Sequence, residues 1–567
     1  MTPSVTSENV VKPEAARARP QPSPADLQRS LETHFLSKLE YLNAIGIALS
    51  QERDIDKLLE TILIAAKNLT HADGGTLYRL VEDKLQFEIV RTDSLAIAMG
   101  GTSGNPVPFY PIPLHKEGQP NYTMIAAYAA LTHKTVNVAD AYTEEGFDFS
   151  GTRNFDKRTG YRSTSFLTVP MKNHEGNIIG VLQLLNATDP ATGRVTSFGE
   201  EDQRLAESLA SQAAIALTNR LLIQQLEVLF ESLIELINTA IDEKSPYTGG
   251  HCKRVPTLTM MLAEAAHEAR SGALSSFEMS DKDRYELKIA GLLHDCGKIT
   301  TPVHVVDKAT KLQTIFDRVE LIATRFEALK REAEVEMLRA KVAALEVGDE
   351  AGARAASEAL AAKIRQYDDD REFIRRTNIG TERMRPEDQA RVSQIARYTW
   401  RSETGDAERF LSRDEEDNLN IAYGTLNAGE REIINHHIVA TIKMLEALPW
   451  PRHLTNVPEY AGGHHERMDG KGYPRGLTRE QMSVQARVMG IADIFEALTA
   501  KDRPYKKGKT LSESLAILGR MKEGGHVDPD LFDIFVRDKV YLRYAREFLD
   551  PEQIDEVDET AIPGFRR

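Results

Sequence analysis

The sequence predicts an α+β domain, a long helical connector and an all-α domain interrupted by a helical arm. Three observations predict this order. Between residues 75 and 185 short β-like runs alternate with loops, and apolar residues at helical spacing flank them on both sides. From Ile215 to Ala240 one apolar seam steps by three and four residues. Beyond residue 242 the apolar residues follow helical spacing.

The bulk numbers bound what the chain can do. Its 567 residues suffice for several domains, and 41% hydrophobic with 28% charged residues is ordinary soluble composition. A net charge of −15 argues against nucleic-acid polymers or an anionic membrane as partners, though local cations can still hold a small anion. Two cysteines, Cys252 and Cys296, exclude a disulfide framework and a Cys-rich zinc site, and they fit a reducing cytoplasm. No apolar run has bilayer length and no signal-peptide core is present, so a cytoplasmic protein is expected.

Residues 1–24, rich in Pro, Ala, Ser and Val without periodicity, read as a disordered leader. Leu27, Leu31, Phe35, Leu39 and Leu42 predict a helix up to residue 51, and a second follows over Leu58–Leu69. Strands are predicted at Gly75–Val81, Leu85–Arg91, Thr135–Val138, Phe166–Lys172 and Ile178–Leu185. Gly176–Asn177 is the hairpin turn, and a closing helix starts at Glu200. The runs Asn154–Ser163, Leu167–Met171 and Gly180–Asn186 resemble a GAF domain, here assigned residues 25–220 with its N-terminal helix. The nearest type is that of cyclic-nucleotide phosphodiesterases and adenylate cyclases, which implies a small-molecule or cyclic-nucleotide ligand. Asn186, Phe198 and Asp202 match that type's signature, but Ala187 stands where a lysine is expected. The alternative is a GAF domain that only dimerises.

The connector, residues 205–243, carries Ile215, Leu222, Leu226, Leu229, Leu233, Leu236 and Ala240 in a heptad seam, with Asn219 filling one position. A parallel coiled coil and a homodimer are expected; the plainer alternative is one amphipathic helix packing on its own domain.

In the second domain, assigned residues 244–545 before a C-terminal tail at 546–567, polar residues intrude on apolar stripes. His251 opens the stripe of Val255, Leu258 and Leu262. A helix over Asp283–His294 delivers His294 and Asp295 from an apolar face, with Lys298 just after. Asp493 sits inside the nearly all-apolar helix Val484–Thr499. On a helix from Asn427, His437 shares a face with Ile434, Thr441 and Leu445, which leaves His436 about 100° away. The loop His464–Pro474 adds His464 and His465, with Gly470 and Gly472 for a tight turn. Residues 312–425 read as an insertion: Ile315, Val319, Ile322, Phe326 and Leu329, continued by Leu338, Val342 and Leu345, predict one long helix. Gly348–Gly352 is a turn, and Ala356, Leu360 and Ile364 mark the returning helix before a less regular charged tail.

His251, His294, Asp295, His437, His464, His465 and Asp493 are too many for one tetrahedral zinc and suit two divalent ions bridged by a carboxylate. Mixed nitrogen and oxygen donors favour Fe or Mn, with Ni or Zn also compatible. Lys298 is placed to neutralise charge developing on a phosphate oxygen. The same residues resemble an HD-GYP domain of the HD superfamily, through His294–Lys298 and His464–Pro474. The segments Tyr247–His251, Glu430–Leu445, Asp493–Thr499 and Gly525–Pro529 support the match. The resemblance implies hydrolysis of the bacterial second messenger cyclic di-GMP to linear pGpG or on to GMP. It makes Asp295 and Lys298 catalytic and Lys298, Tyr473, Arg503 and Lys506 the substrate contacts. It also sets out departures: Tyr247 replaces a glutamate that helps hold a third metal in some members, and Glu496 stands where Asp is usual. One extra residue separates Asp493 from Arg503, and the arm falls between Asp295 and His437. The rivals are hydrolysis of another cyclic dinucleotide, such as cyclic GMP-AMP, and a nucleotide-sensing module without turnover.

Overall fold

The computed structural model describes residues 38, 40–245, 250–380, 383–401, 405–500 and 508–566. The predicted leader, Leu27, Leu31, Phe35, Leu39, Tyr247, Arg503 and Lys506 lie outside the described residues. The chain divides into two compact units, Met1–Leu229 and Phe230–Arg567.

In the first unit a helix over residues 40–51 buries Leu42, Ile45 and Leu49. Helix α1 (Ile55–Thr70) starts where Asp54 accepts from the Lys57 amide, an N-cap that satisfies one of the first turn's free donors. An eight-stranded antiparallel sheet follows, in which two-residue strands at Ile112–Pro113 and Val195–Thr196 flank a path of six: β1 (Ala72–Val81), β2 (Lys84–Thr92), β3 (Ile97–Gly100), β4 (Val136–Val138), β5 (Phe166–Lys172) and β6 (Ile178–Thr188). They lie in the order β3-β2-β1-β6-β5-β4. The hairpin predicted at Gly176–Asn177 joins β5 to β6, with Met171 opposite Gly180. Alternation sorts the side chains between two layers. Leu77, Leu167, Leu182 and Leu184 pack with α1, while Tyr78 and Val181 face helix α2 (Ile125–Thr132). Besides several two-residue strands, sequence periodicity missed β3, α2 and helix α3 (Ser150–Thr159). The α2 segment is apolar on every side and α3 is almost entirely polar, so neither shows a helical stripe.

Helix α4 (Glu200–Lys244) is continuous. Its last turns carry a second apolar stripe beside the heptad seam: Ile234 and Ile241 lie in the second unit's core and Phe230 packs against it. That core therefore begins before residue 244. The seam residues Leu222, Leu226, Leu229, Leu233 and Leu236 are 47–64% exposed.

The second unit is built on helices α5 (His251–His267) and α6 (Asp281–Leu293), the latter opened by a capping box of Ser280 and Asp283. The insertion follows. Helices α7 (Val319–Glu346) and α8 (Glu350–Asn378) form the predicted hairpin, although Ile315 precedes α7 and is exposed. The segment read as a charged tail folds into α9 (Pro386–Ile395), a two-stranded ribbon of Thr399–Arg401 with Ala407–Arg409, and α10 (Arg413–Leu419). Leu312, Ile322, Phe326, Phe373, Val392 and Phe410 give the insertion a core of its own.

Helix α11 (Ala428–Glu446), α12 (Val457–Gly462), α13 (Val484–Thr499), α14 (Leu511–Glu523), α15 (Pro529–Arg537) and α16 (Val540–Phe548) complete the unit. The segment after α16 is no loose tail: Ile562 is buried, and the Gln553 amide donates to the Thr499 carbonyl at 2.8 Å. Among the described residues no helix is long and apolar enough to cross a membrane.

Candidate metal centre

Four helices and one loop bring the seven predicted donors together. His251 is the first residue of α5 and His294–Asp295 follow the end of α6. His437 lies on α11, Asp493 on α13, and His464–His465 on the loop after α12. His294, Asp295, His437 and His464 are buried, and His436 is exposed as its place on the helix requires.

Gly297 sets the approach of the Asp295 turn to α11. A Cβ there would stand 2.0 Å from the His437 carbonyl oxygen and 2.6 Å from the Thr441 amide nitrogen. The Gly297 amide instead donates to Thr441 Oγ1 at 2.9 Å, so the two segments touch through backbone. The result is an Asp295 carboxylate that faces both ways. Its Oδ2 lies 3.0 Å from His251 Nε2 and 3.2 Å from His294 Nε2, and its Oδ1 lies 3.3 Å from His437 Nε2.

Hydrogen bonds select the tautomers. His294, His437 and His464 each donate Nδ1–H to the carbonyl three residues earlier, on Gly291, Ile434 and Ala461. Each Nε2 therefore points inward, the arrangement metal-binding imidazoles use. His251 differs: its Nδ1 is 2.5 Å from Glu496 Oε2.

The donors fit metal. His251, His294 and Asp493 form one set, and His437, His464 and His465 another, with ligand atoms within 4.8 Å of one another in each. The Nε2 atoms of His251 and His294 are 3.3 Å apart, as are those of His437 and His465. Two metal–nitrogen bonds of about 2.1 Å meeting at octahedral to tetrahedral angles span about 3.0–3.4 Å. Among the described residues, Asp295 Oδ1 and His464 Nε2 are buried without a hydrogen-bond partner, a costly state that an ion relieves.

Electrostatics agree. Burial favours an uncharged Asp295, but Lys298, His294 and His251 overcome it and hold the carboxyl well below its usual range. Burial would also strip the proton from His251, yet its hydrogen bonds to the carboxylates of Asp295, Asp493 and Glu496 keep it well above the ordinary imidazole value. An incoming ion must displace that proton. Burial keeps His464 neutral and pulls His465 down to about 4. Lys298 Nζ sits 2.5 Å from Asp295 Oδ2.

The loop His464–Pro474 is held from within. Buried Glu466 accepts from the amides of Arg475 and Leu477 at 2.7 and 2.9 Å. A Cβ on Gly472 would meet the Arg467 nitrogen at 2.4 Å, so the turn closes only on glycine. Outside, the Asp469 amide donates to the Gly525 carbonyl and Arg479 pairs with Asp528, which gives the Gly525–Pro529 segment its role as a clamp. Tyr473, expected at the substrate, stacks on His465 with ring centres 4.9 Å apart and planes 18° apart. Burial, then Asp493 and Asp295, push its hydroxyl up to about 12.

Sequence reasoning missed the working roles of Glu496, Arg254 and Glu466. The available signal was the spacing: Glu496 and Asp493, like Arg254 and His251, are one helical turn apart. In the first unit the signature residues serve the fold. Asn186, at φ +54°, accepts from the Thr164 and Ser165 amides and donates to Tyr161 Oη and the Arg162 carbonyl. Phe198 is buried, and Asp202 accepts from the Gly199 amide.

Comparison with known proteins agrees with this division. A GAF domain model matches residues 54–217, and HD domain models match residues 248–396 and 415–531. A 3'3'-cGAMP-specific phosphodiesterase of Vibrio cholerae is 44% identical over 81 residues, 14% of this chain and 19% of that protein. A cyclic di-GMP phosphodiesterase of Pseudomonas aeruginosa is 49% identical over 75 residues, 13% of this chain and 17% of that protein. One from Thermotoga maritima is 29% identical over 150 residues, 26% of this chain and 38% of that protein. The chain thus spans well under half the length of these relatives.

Proposed function

We propose that this chain, a GAF domain followed by an HD domain, is a metal-dependent phosphodiesterase that hydrolyses cyclic di-GMP to pGpG or on to GMP. The observation that carries the reading is one buried carboxylate, Asp295, shared between two sets of imidazole and carboxylate donors with Lys298 beside it. His251, His294 and Asp493 would hold one ion and His437, His464 and His465 the other, with Asp295 between them. When bound, two divalent ions, Fe or Mn, would acidify a water and neutralise the scissile phosphate. Lys298 brings a fixed positive charge to the phosphate oxygens. Tyr473 holds His465 by stacking and presents an un-ionised hydroxyl, and Arg503 and Lys506 are assigned to the substrate phosphates.

A bacterial second messenger as substrate implies action in the cytoplasm. The GAF domain is the regulatory input, with a small molecule as its ligand. The exposed heptad face of α4 supports pairing with a second copy of the chain. The connector also ends at the site, because the Lys244 ammonium donates to the carbonyls of Lys298 and Ile299. A second reading, cyclic GMP-AMP as substrate, is favoured by the name of the Vibrio relative.

The test is metal analysis of anaerobically purified protein together with turnover of both cyclic dinucleotides. Loss of metal and of all turnover is expected for the His294→Ala/Asp295→Ala variant. Full activity in that variant would sink the mechanism, and a metal-loaded wild type that cleaves neither dinucleotide would leave a sensing module. Preference for cyclic GMP-AMP would change the substrate alone.

A further inference from the structure

Two helices meet at His251 through a square of charged side chains. On α5, His251 and Arg254 are one turn apart; on α13, Asp493 and Glu496 are one turn apart. Both His251 nitrogens are engaged, with Nε2 3.3 Å from Asp493 Oδ1 and Nδ1 2.5 Å from Glu496 Oε2. The other Glu496 oxygen accepts from Arg254 Nε at 2.7 Å and its Nη2 at 2.6 Å. The Glu496 side chain is 1% exposed, so its position is dictated by these partners and not by solvent.

We propose that Glu496, locked by Arg254, is a positioning residue for His251, and that it makes His251, His294 and Asp493 the tighter of the two metal positions. This rests on the two-metal reading above. His294, His437 and His464 are oriented by neutral carbonyls, whereas His251 is oriented by a carboxylate. A carboxylate behind an imidazole fixes the ring and strengthens the distal nitrogen as a donor more than a carbonyl does. This set also has Asp493 as a carboxylate of its own, while the other set has three imidazoles and only the shared Asp295. Negative charge therefore accumulates on one side of Asp295. Arg254 is needed because an unpaired buried glutamate would be costly, and its two-pronged contact leaves Glu496 one free direction, toward His251.

The test is titration of the metal-free full-length chain with Mn²⁺ alone, followed by calorimetry. Two classes of site are expected in the wild type. Glu496→Gln should weaken the tighter class about 10–100-fold and leave the weaker class in place. Glu496→Asp, which keeps the charge, should recover part of the loss, and His465→Ala should remove the weaker class. Because Glu496→Gln leaves Arg254 without its buried counter-charge, the Glu496→Gln/Arg254→Met variant repeats the measurement if the single variant fails to fold. Two unchanged classes in the variant that folds would overturn the inference alone. So would weakening of the class that His465→Ala removes. A wild type that binds no Mn²⁺ would overturn the two-metal reading with it.

Discussion

Replacing Gly297 by alanine adds one methyl group where the site has no room for it. The added Cβ would lie 2.0 Å from the His437 carbonyl oxygen, and ordinary contact begins near 3.4 Å, so the Asp295 turn and α11 must separate by roughly 1.4 Å. Metal sites tolerate ligand displacements of only about 0.2 Å. The 3.3 Å approach of His437 Nε2 to Asp295 Oδ1 would be lost, together with the Gly297–Thr441 hydrogen bond. Turnover should fall at least about 100-fold, as expected for an ångström of misplacement between reacting groups. Folding stability should fall by about 1–3 kcal/mol, the usual cost of overpacking. The assay is cyclic di-GMP hydrolysis with metal content measured on the same sample. Gly151→Ala, on α3 with open space around its Cβ, is the control and should change neither. A Gly297→Ala protein with wild-type metal content and wild-type turnover would refute the claim that this backbone contact sets the distance between the two donor sets.

Tyr473→Phe keeps the ring against His465 and should keep full metal content, whereas Tyr473→Ala should lower it; equal metal content in the two would dismiss the stacking role. Asn186→Ala removes four hydrogen bonds at a left-handed backbone position and should destabilise the GAF domain by about 2–4 kcal/mol in thermal unfolding. An unchanged transition would show that these bonds do not hold the fold. Lys308→Met strands Glu430, whose partner is that buried ammonium at 2.7 Å, and should cost about 3 kcal/mol with a loss of turnover through α11. Leu229→Glu with Leu236→Glu should yield monomers in sedimentation if α4 pairs two chains, and a dimer that persists would rule out that face.

Much of the centre was legible because its residues break local rules. A carboxylate in the apolar helix Val484–Thr499 and a histidine at the head of an apolar stripe have no structural reason to be there, so Asp493 and His251 stood out. The strands were legible for the opposite reason: β1, β5 and β6 are short apolar runs rich in strand-forming residues and bounded by turn signals. What stayed hidden depends on partners remote in sequence. Glu496 looked like a departure from a pattern, and only the fold brings it to His251 and Arg254, more than 240 residues earlier. Gly297 read as part of a motif, while its cause, the backbone of α11, lies 140 positions on, at His437. The resemblance implies a substrate contact for Tyr473, and its stacking on His465 is a further feature that nothing in its sequence neighbours announces.

From sequence, the insertion is expected to cover or distort the site, since it separates Asp295 from His437 by a long stretch of chain. Its attachment removes most of that threat. The chain enters and leaves at nearly one point: Thr425 Oγ1 donates to the Lys308 carbonyl at 2.9 Å, and Lys308 Nζ bridges Asn418 and Glu430. Between those points the segment packs on a core of its own that includes Leu312, Phe326 and Phe410. Lengthening a closed loop costs only about 0.6 kcal/mol per doubling, and a segment with its own core adds even less disorder to close. The contact that aligns the two donor sets runs through Gly297 and Thr441, and it does not depend on how long the chain between them is. The insertion can still act on the centre through Lys308, because Glu430 caps the helix that carries His437. A change in the insertion would reach the donors through the contacts at the start of that helix, among them this ion pair and the Asn427 amide that donates to Asn418.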